Sequence, residues 1–303
     1  MKVEELQHAK GEISDSHKDI LLAPVFIVGS GRSGTTWLQR LLLEHPEITG
    51  GQESEFFLHF SSCLRGVQRD DEISRKLGLS VYWAESDLNK VIMNIWQKTF
   101  ISMLNQKPGA KILSEKTPSH AHHMDVIAKF LPNSKFIHII RDSRSVVSSM
   151  LAAEKGWGKS WAPGTAKKCA WLWRSSVVAA KKSGNNMPDE RYLEVRYEDL
   201  LNNTNNELSR IYSYLGVNFN SELLAKIVDK QSMHKQKLSG GTGFKDYKGN
   251  DLKEPNGFFR KGKVDSWKSE LNIFQKLIVW RYTWNILRKF GYDWNGRINE
   301  NLK

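Results

Sequence analysis

The sequence predicts an α/β fold, with a central, mostly parallel sheet flanked by helices. Three segments are predicted as strands: the short apolar run at residues 22–30, which fits a buried parallel strand, and the segments at residues 134–140 and 190–200. Each of them leads into a segment with helical character, and strands separated by helices favour a parallel sheet. Because no internal repeat or linker is visible, we expect a tail or loose first helix at residues 1–22 and a single domain at residues 23–303.

The first run, LAPVFIVGS, continues into GRSGTT and then into WLQRLLLEHPEI. In that last segment Trp37, Leu38, Leu41 and Leu42 recur at helical spacing, and Pro46 marks the end of the helix. A strand, a glycine-rich turn and a helix, in that order, form the arrangement found at phosphate-binding sites.

The later elements follow the same alternation. Residues 124–132 have a helical pattern before the second strand, and a helix is expected through residues 204–215 after the third strand. Residues 154–165, rich in Gly, Trp and Pro, predict a loop. Six glycines within residues 239–262 predict a long irregular segment, and such segments often serve as lids.

Composition excludes several classes of protein. The 303 residues are 40% hydrophobic and 26% charged, as in globular domains. Cys63 and Cys169 are the two cysteines and lie far apart, which argues against a disulfide framework or a cysteine metal site and favours a reducing compartment. No secretory signal or run of about 18 apolar residues is present, so we expect a cytoplasmic protein with no membrane span.

The net charge of +12 is concentrated at the end of the chain. From Lys230 to Lys303 there are sixteen Lys and Arg residues against seven Asp and Glu residues. Such an excess indicates an anionic partner, which could be nucleic acid, a membrane surface or a multiply phosphorylated small molecule, or else a solvated basic face. Charge alone leaves these alternatives open.

The glycine-rich turn carries groups that bind phosphate. Its glycines allow backbone N–H groups to point at phosphate oxygens, and the following helix contributes the partial positive charge of its N-terminus. Ser33, Thr35 and Thr36 supply hydroxyl donors, and Arg32 supplies a fixed charge.

The same turn departs from the Walker A pattern G-x-x-x-x-G-K-[ST]. Gly29, Gly34 and Thr36 fit that pattern, but Thr35 occupies the position of the lysine. A P-loop-type nucleotide kinase or NTPase is therefore a weaker alternative.

The segment GRSGTTW resembles the 5′-phosphosulfate loop of sulfotransferases that use 3′-phosphoadenosine 5′-phosphosulfate (PAPS), in which the pattern is P-[KR]-[ST]-G-T-[TS]-[WL]. Gly31 replaces the usual Pro, and Arg at position 32 is typical of the Golgi and bacterial branches. The resemblance implies a P-loop-like strand–loop–helix site. It also implies that the following residues bind the cofactor: Arg32, Ser33, Gly34, Thr35, Thr36 and Trp37, with Trp37 stacking on the purine.

Two further segments match motifs of this family. Arg141 follows the second strand and Ser149 stands eight residues later, as in the family's 3′-phosphate motif. A guanidinium and a hydroxyl at this spacing can converge on one phosphate. Tyr197, in VRYEDL, would line the adenine pocket.

The third motif resembles the R-K-G-x-x-G-D-W-K segment of cytosolic members, which closes over the 3′-phosphate. The resemblance assigns cofactor binding to Phe259, Arg260, Lys261 and Gly262. The second glycine of the motif is missing, since Asp265 occupies its place.

Three residues are candidates for the catalytic base. Glu53 matches the catalytic Glu of the Golgi, tyrosyl-protein and several bacterial members, with Glu55 as the runner-up. His120 corresponds to the histidine base of cytosolic members. Lys116, in EKTP, resembles a lysine of the same Golgi-like branches, and with Arg32 it would steady the sulfuryl oxygens and the leaving phosphate.

We therefore expect in-line transfer of a sulfuryl group from PAPS to a hydroxyl or amine, releasing adenosine 3′,5′-bisphosphate (PAP). The expected acceptor is a small molecule such as a natural product. No metal is expected, because adjacent His122 and His123 point in different directions and no carboxylate pair joins His120. No nucleic-acid partner is expected either, although a basic nucleic-acid-binding protein remains an alternative; the oligomeric state is open.

Overall fold

A five-stranded parallel sheet organises the protein in the computed structural model, which describes residues 13–66, 79–231, 241–245, 250–258 and 264–297. Its strands are β1 (Val25–Gly29), β2 (Ile48–Gly50), β3 (Ile112–Lys116), β4 (Lys135–Ile140) and β5 (Tyr192–Arg196). They lie in the order β2-β3-β1-β4-β5. The predicted α/β class is confirmed, and β1, β4 and β5 fall within the three segments predicted as strands.

Helices connect the strands and cover the sheet. They are α1 (Asp15–Leu22), α2 (Thr35–Leu43), α3 (Phe56–Gly66), α4 (Glu85–Gln106), α5 (Met124–Phe130), α6 (Ser143–Glu154), α7 (Ala166–Gly184), α8 (Tyr197–Asn202), α9 (Thr204–Leu215), α10 (Ser221–Lys230), α11 (Trp267–Glu270) and α12 (Ile273–Lys289). Within the described residues, no helix is long and apolar enough to cross a membrane.

The central position of β1 brings the candidate site together. Val25–Gly29 is completely enclosed, and it pairs with β3 on one side and β4 on the other. Ile27 lies opposite Lys116, and Gly29 lies opposite Ile139. Since parallel strands end at the same edge, the loop after β1, the last residue of β3 and Arg141 after β4 meet at the carboxyl edge of the sheet.

A lysine side chain fixes the C-terminal end of helix α2, which begins at Thr35 directly after the glycine-rich turn. The ammonium of Lys107 donates hydrogen bonds to the carbonyl oxygens of Leu43, His45 and Ile48, at 2.9, 2.7 and 2.7 Å. These carbonyls lie at the end of α2, in the turn after it and at the first residue of β2. A cation at the end of α2 also complements the helix dipole.

Residues 15–22, predicted as a tail or a loose first helix, form the packed helix α1. Ser14 caps its first turn by accepting a hydrogen bond from the His17 amide. Leu21 is fully buried, and the indole N–H of Trp96 donates to its carbonyl at 2.8 Å. Burial of such a leucine contributes about 2 kcal/mol, which helps to hold the short helix on the core.

The prediction of a long irregular segment at residues 239–262 is corrected in part. Residues Gly241–Lys245 (β6) and Asp251–Lys253 (β7) form an antiparallel pair separate from the main sheet. Strands this short, one of them rich in glycine, lack the β-branched pattern that would have revealed them.

Candidate functional site

The turn between β1 and α2 is tight and depends on Gly34. The Ser33 amide donates to the Ser30 carbonyl at 3.1 Å, and Arg32 and Gly34 have φ angles of 70° and 98°. A Cβ on Gly34 would lie 2.4 Å from a ring carbon of Tyr197. The turn therefore needs a residue without a side chain at this position, both for the backbone angle and for the ring.

The structure brings the first two predicted motifs together. The guanidinium of Arg141 stacks on the Tyr197 ring, 4.2 Å from its centroid, and donates to the Arg32 carbonyl at 3.2 Å. In turn, Arg32 Nε donates to Ser149 Oγ at 3.1 Å. Residues separated by more than one hundred positions thus form one cationic surface at the edge of the sheet.

Two buried donors of this surface have no hydrogen-bond partner among the described residues. They are Ser33 Oγ, in the glycine-rich turn, and Arg141 Nε, in the second motif. Buried polar groups are nearly always satisfied, so such donors at a binding loop indicate a ligand that accepts hydrogen bonds. One donor lies in each of the two segments that the sequence predicts as phosphate motifs, and phosphate binding there stays a prediction.

Arg32 also contacts a part of the chain that sequence reasoning did not connect with it. Its guanidinium donates to the Phe258 carbonyl at 2.6 Å and lies 5.1 Å from the centroid of the Trp157 ring. Arg32, Ser149 and Trp157, together with Asn256, line a cavity of about 310 Å³. The tryptophan-rich composition of residues 154–165 was the available signal for this contact.

Trp37 and Tyr197 are both buried beside the turn, with ring centroids 5.8 Å apart in an edge-on arrangement. The Trp37 indole N–H donates to the Gln231 carbonyl at 3.0 Å. Stacking of Trp37 on a purine stays a prediction. The predicted cofactor residues Phe259, Arg260, Lys261 and Gly262 lie outside the described residues.

On the acceptor side, Lys116 joins Glu53 to the glycine-rich turn. The Lys116 ammonium is almost fully buried and donates to Glu53 Oε1 at 2.5 Å and to Thr36 Oγ1 at 3.3 Å. The Glu53 side chain is 41% exposed. Its carboxylate is therefore accessible to solvent and lies next to the glycine-rich turn.

Glu55 lies outside this arrangement. Its exposed carboxylate lies 4.0 Å from Nε2 of His59, which is on the first turn of α3. Its backbone N–H donates to Thr117 Oγ1 at 3.2 Å. The backbone of Glu55 therefore fixes the residues around Glu53 to Thr117, while the Glu55 side chain faces solvent.

His120 is enclosed in the core, and both of its ring nitrogens are engaged. Its Nε2 accepts from the Phe57 amide at 3.2 Å, so Nδ1 carries the proton and donates to Glu115 Oε2 at 2.9 Å. Burial acts to raise the pKa of Glu115, but His120 and the hydroxyls of Thr117 and Ser54 hold that pKa below its usual range. This geometry favours a structural role, in which His120 ties the Glu53 segment to β3.

Glu198 is a buried carboxyl group that the sequence reasoning did not single out. It accepts hydrogen bonds from the Asp142 amide, at 3.1 Å, and from the Tyr292 hydroxyl. Burial raises its pKa to about 7, against the effect of the Tyr292 hydrogen bond. Since Asp142 follows Arg141 and caps α6, Glu198 supports the backbone of the second motif.

A second carboxylate that sequence reasoning missed reaches the site from residues 250–258. Glu254 pairs with Arg40 of α2 at 3.0 Å, and both side chains are largely buried. Burial raises the pKa of Glu254, while Arg40 and Lys116 counteract this. The ion pair holds residues 250–258 beside α2. No motif in the sequence indicates that Glu254 and Arg40 pair.

No group of three or more His, Cys, Asp or Glu side chains that could hold a metal ion occurs among the described residues. Burial lowers the pKa of His123 to about 4, and the pKa of neighbouring His122 is lowered for the same reason.

Comparison with known proteins gives a consistent result. A family model described as "Sulfotransferase family" matches residues 24–221. The protein-tyrosine sulfotransferase of Drosophila melanogaster is 24% identical over 205 residues, which span 66% of this chain but only 39% of the fly protein. The omega-hydroxy-beta-dihydromenaquinone-9 sulfotransferase Stf3 of Mycobacterium bovis is also 24% identical, covering 89% of this chain and 75% of that protein.

The fold is similar to that of a solved sulfotransferase. The crystal structure of mouse sulfotransferase SULT7A1 complexed with PAP superposes with a TM-score of 0.59 at 19% identity, covering 91% of this chain and 90% of the mouse protein.

Proposed function

Because the chain belongs to the sulfotransferase family, we propose that it transfers a sulfuryl group from PAPS to a hydroxyl or amine of a small-molecule acceptor, with Glu53 as the general base. One observation carries this assignment. Buried Lys116 bonds both to the carboxylate of Glu53 and to Thr36 of the phosphate-binding turn, so a proton acceptor and an anion site lie side by side.

The donor molecule is inferred from the fit of its two phosphate-type groups. Ser33 Oγ and Arg141 Nε are buried donors without partners among the described residues, one in each predicted phosphate motif. The mouse relative was solved with PAP, the product that PAPS leaves. When bound, PAPS would supply the activated sulfuryl group.

The residues of this chain would act by position and charge. Glu53 would take the proton of the acceptor while Lys116 orients the carboxylate. Arg32, Lys116 and the hydroxyl of Thr36 would offer donors to the anionic oxygens. Such loose transfer reactions depend mainly on alignment and charge stabilisation, so these groups suffice without further covalent chemistry from the protein.

Two kinds of acceptor occur among the relatives. The names of the animal proteins specify protein tyrosine, whereas the mycobacterial name specifies a hydroxylated menaquinone derivative. The mycobacterial match covers 89% of this chain against 66% for the fly protein. This wider agreement favours a small-molecule alcohol as the acceptor.

The test has two stages. A panel of alcohols, phenols, amines and tyrosine peptides is incubated with labelled PAPS, and sulfated products are identified by mass spectrometry. Glu53→Gln is then compared with Glu55→Gln on the best acceptor. Loss of a positioned base costs about 10²–10⁴-fold in rate, so Glu53→Gln should lose at least a hundredfold in kcat while Glu55→Gln stays near normal.

Calorimetry with PAP provides the control, because both variants should bind it as the unmodified protein does. Near-normal turnover by Glu53→Gln would remove Glu53 as the base. Sulfation of tyrosine peptides alone would show that the small-molecule acceptor is wrong.

A further inference from the structure

We propose that the outer face of α7 and α12 docks the protein on the surface of an anionic lipid bilayer. The first two turns of α12 present Ile273, Phe274, Leu277 and Ile278 to solvent, with Phe274 73% exposed. Soluble monomers rarely place four large apolar side chains together in this way unless the patch has a partner.

The exposure follows from helical geometry. Positions 273, 274, 277 and 278 lie on one face of the helix. The opposite face is buried against the core through Val279, Thr283 and Leu287. A capping box between Asn272 and Gln275 fixes the start of the helix, so the apolar row belongs to well-formed helix.

Helix α7 extends the patch. Its Trp171, 52% exposed, lies 6.1 Å from the Tyr282 ring, and Arg174 Nη1 donates to the Tyr282 carbonyl at 3.1 Å. Ile278 is one turn before Tyr282 on α12. Trp171 of α7, which contacts Tyr282, therefore extends the apolar surface from α12 onto α7. Trp284, which is on α12 and also exposed, is the second indole of the patch after Trp171. Tryptophan is favoured at the boundary between lipid headgroups and hydrocarbon.

Both helices are strongly basic. Helix α7 carries five Lys and Arg residues and α12 carries four, and neither contains an Asp or Glu. The exposed cations are Lys167, Lys168, Lys182, Arg281, Arg288 and Lys289. An apolar strip bordered by cations has the pattern of helices that lie in the interface of anionic membranes.

Charge distinguishes a bilayer from the other possible partners. In a symmetric dimer through this face, the cations of one copy would meet those of the other, and neither helix offers a carboxylate to pair with them. Nucleic acid would match the charge but not the apolar strip, because such interfaces are polar. A lipid surface matches both.

Vesicle sedimentation tests the proposal, using phosphatidylcholine vesicles with and without phosphatidylglycerol. The full-length protein should sediment with the anionic vesicles and do so less at high salt. Phe274→Ser combined with Leu277→Ser should weaken the partition at least about tenfold, since two large apolar side chains would no longer enter the bilayer. Arg281→Glu combined with Arg288→Glu should weaken it comparably.

The matched control is Val91→Ser combined with Ile95→Ser, two exposed apolar residues of α4, which should sediment like the unmodified protein. All variants should keep their unfolding temperature and PAP affinity. The proposal is overturned if the protein ignores anionic vesicles, or if the α12 and α4 variants lose binding equally. It is also overturned if the Phe274 and Leu277 variant converts a dimer to a monomer without lipid, because the face is then an interface between copies.

Discussion

Replacing Gly34 by Ala should damage stability and ligand binding together. Gly34 has a φ of 98°, in the region that L-residues with a side chain avoid. An added Cβ would lie 2.4 and 2.7 Å from two carbons of the Tyr197 ring, which is 2% exposed and has the Arg141 guanidinium stacked on it. The ring therefore has little room to move, and any movement displaces Arg141.

The magnitude follows from these two effects. The backbone angle costs about 1–2 kcal/mol, and forcing extra atoms into a packed site costs about 1–3 kcal/mol. Together they predict a loss of about 2–5 kcal/mol in the free energy of unfolding. Because Arg141 would move with the ring, we expect PAP binding to weaken about tenfold or more, the loss of roughly one charged hydrogen bond.

Gly31→Ala is the matched control in the same turn. Its φ is not positive, and an added Cβ would meet nothing within 4 Å. This variant should stay within about 0.5 kcal/mol of the unmodified protein, as most unstrained surface changes do. Urea unfolding and calorimetry with PAP measure both quantities. If Gly34→Ala is as stable as Gly31→Ala and binds PAP equally well, the reasoning about the turn and the Tyr197 ring is refuted.

Two further predictions concern buried charge. The folded-state pKa of Glu198 is raised to about 7 from an ordinary 4.5, so ionising it as the pH rises between these values should destabilise the fold. Glu198→Gln should reduce that loss by up to about 3 kcal/mol between pH 5 and pH 8 in urea unfolding; an unchanged pH dependence would contradict the assignment. Lys107→Met removes the donor of three carbonyl hydrogen bonds and should lower the unfolding free energy by about 2–4 kcal/mol. Exposed Lys98, on helix α4 that ends just before Lys107, gives the control Lys98→Met, and equal stability of the two variants would refute the capping role of Lys107.

Strands β1, β4 and β5 were predicted from the sequence, whereas β3 was not. Its sequence, ILSEK, ends in two ionisable residues that are nonetheless buried. Glu115 is satisfied by His120 and Ser54, and Lys116 by Glu53, all of them distant in the chain. Burial of such residues depends on partners that only the fold supplies, so the local sequence does not predict that they are buried in a strand.

The candidate site also contains some residues that the sequence predicted and others that it did not. The turn around Arg32 and the Arg141 segment were recognisable because their donors are close together in the sequence. Trp157 and Glu254 reach the site only through tertiary contacts, and their sequence surroundings carry no comparable motif. Glu198 stands next to Tyr197 in VRYEDL, but its hydrogen bond from the Asp142 amide is likewise supplied only by the fold.

The pairing of β1 has a consequence for how the protein is made. Val25 pairs with Ser114 on one side and with Lys135 on the other, so both neighbours of the central strand come from far along the chain. Non-local parallel pairing forms slowly, because long loops must close before any contact is gained. During synthesis, β1 and the glycine-rich turn leave the ribosome before either neighbouring strand. The turn can take its native shape only after Lys135, 110 positions beyond Val25, has followed, and until then its apolar strand is an exposed segment that chaperones or neighbouring chains could bind.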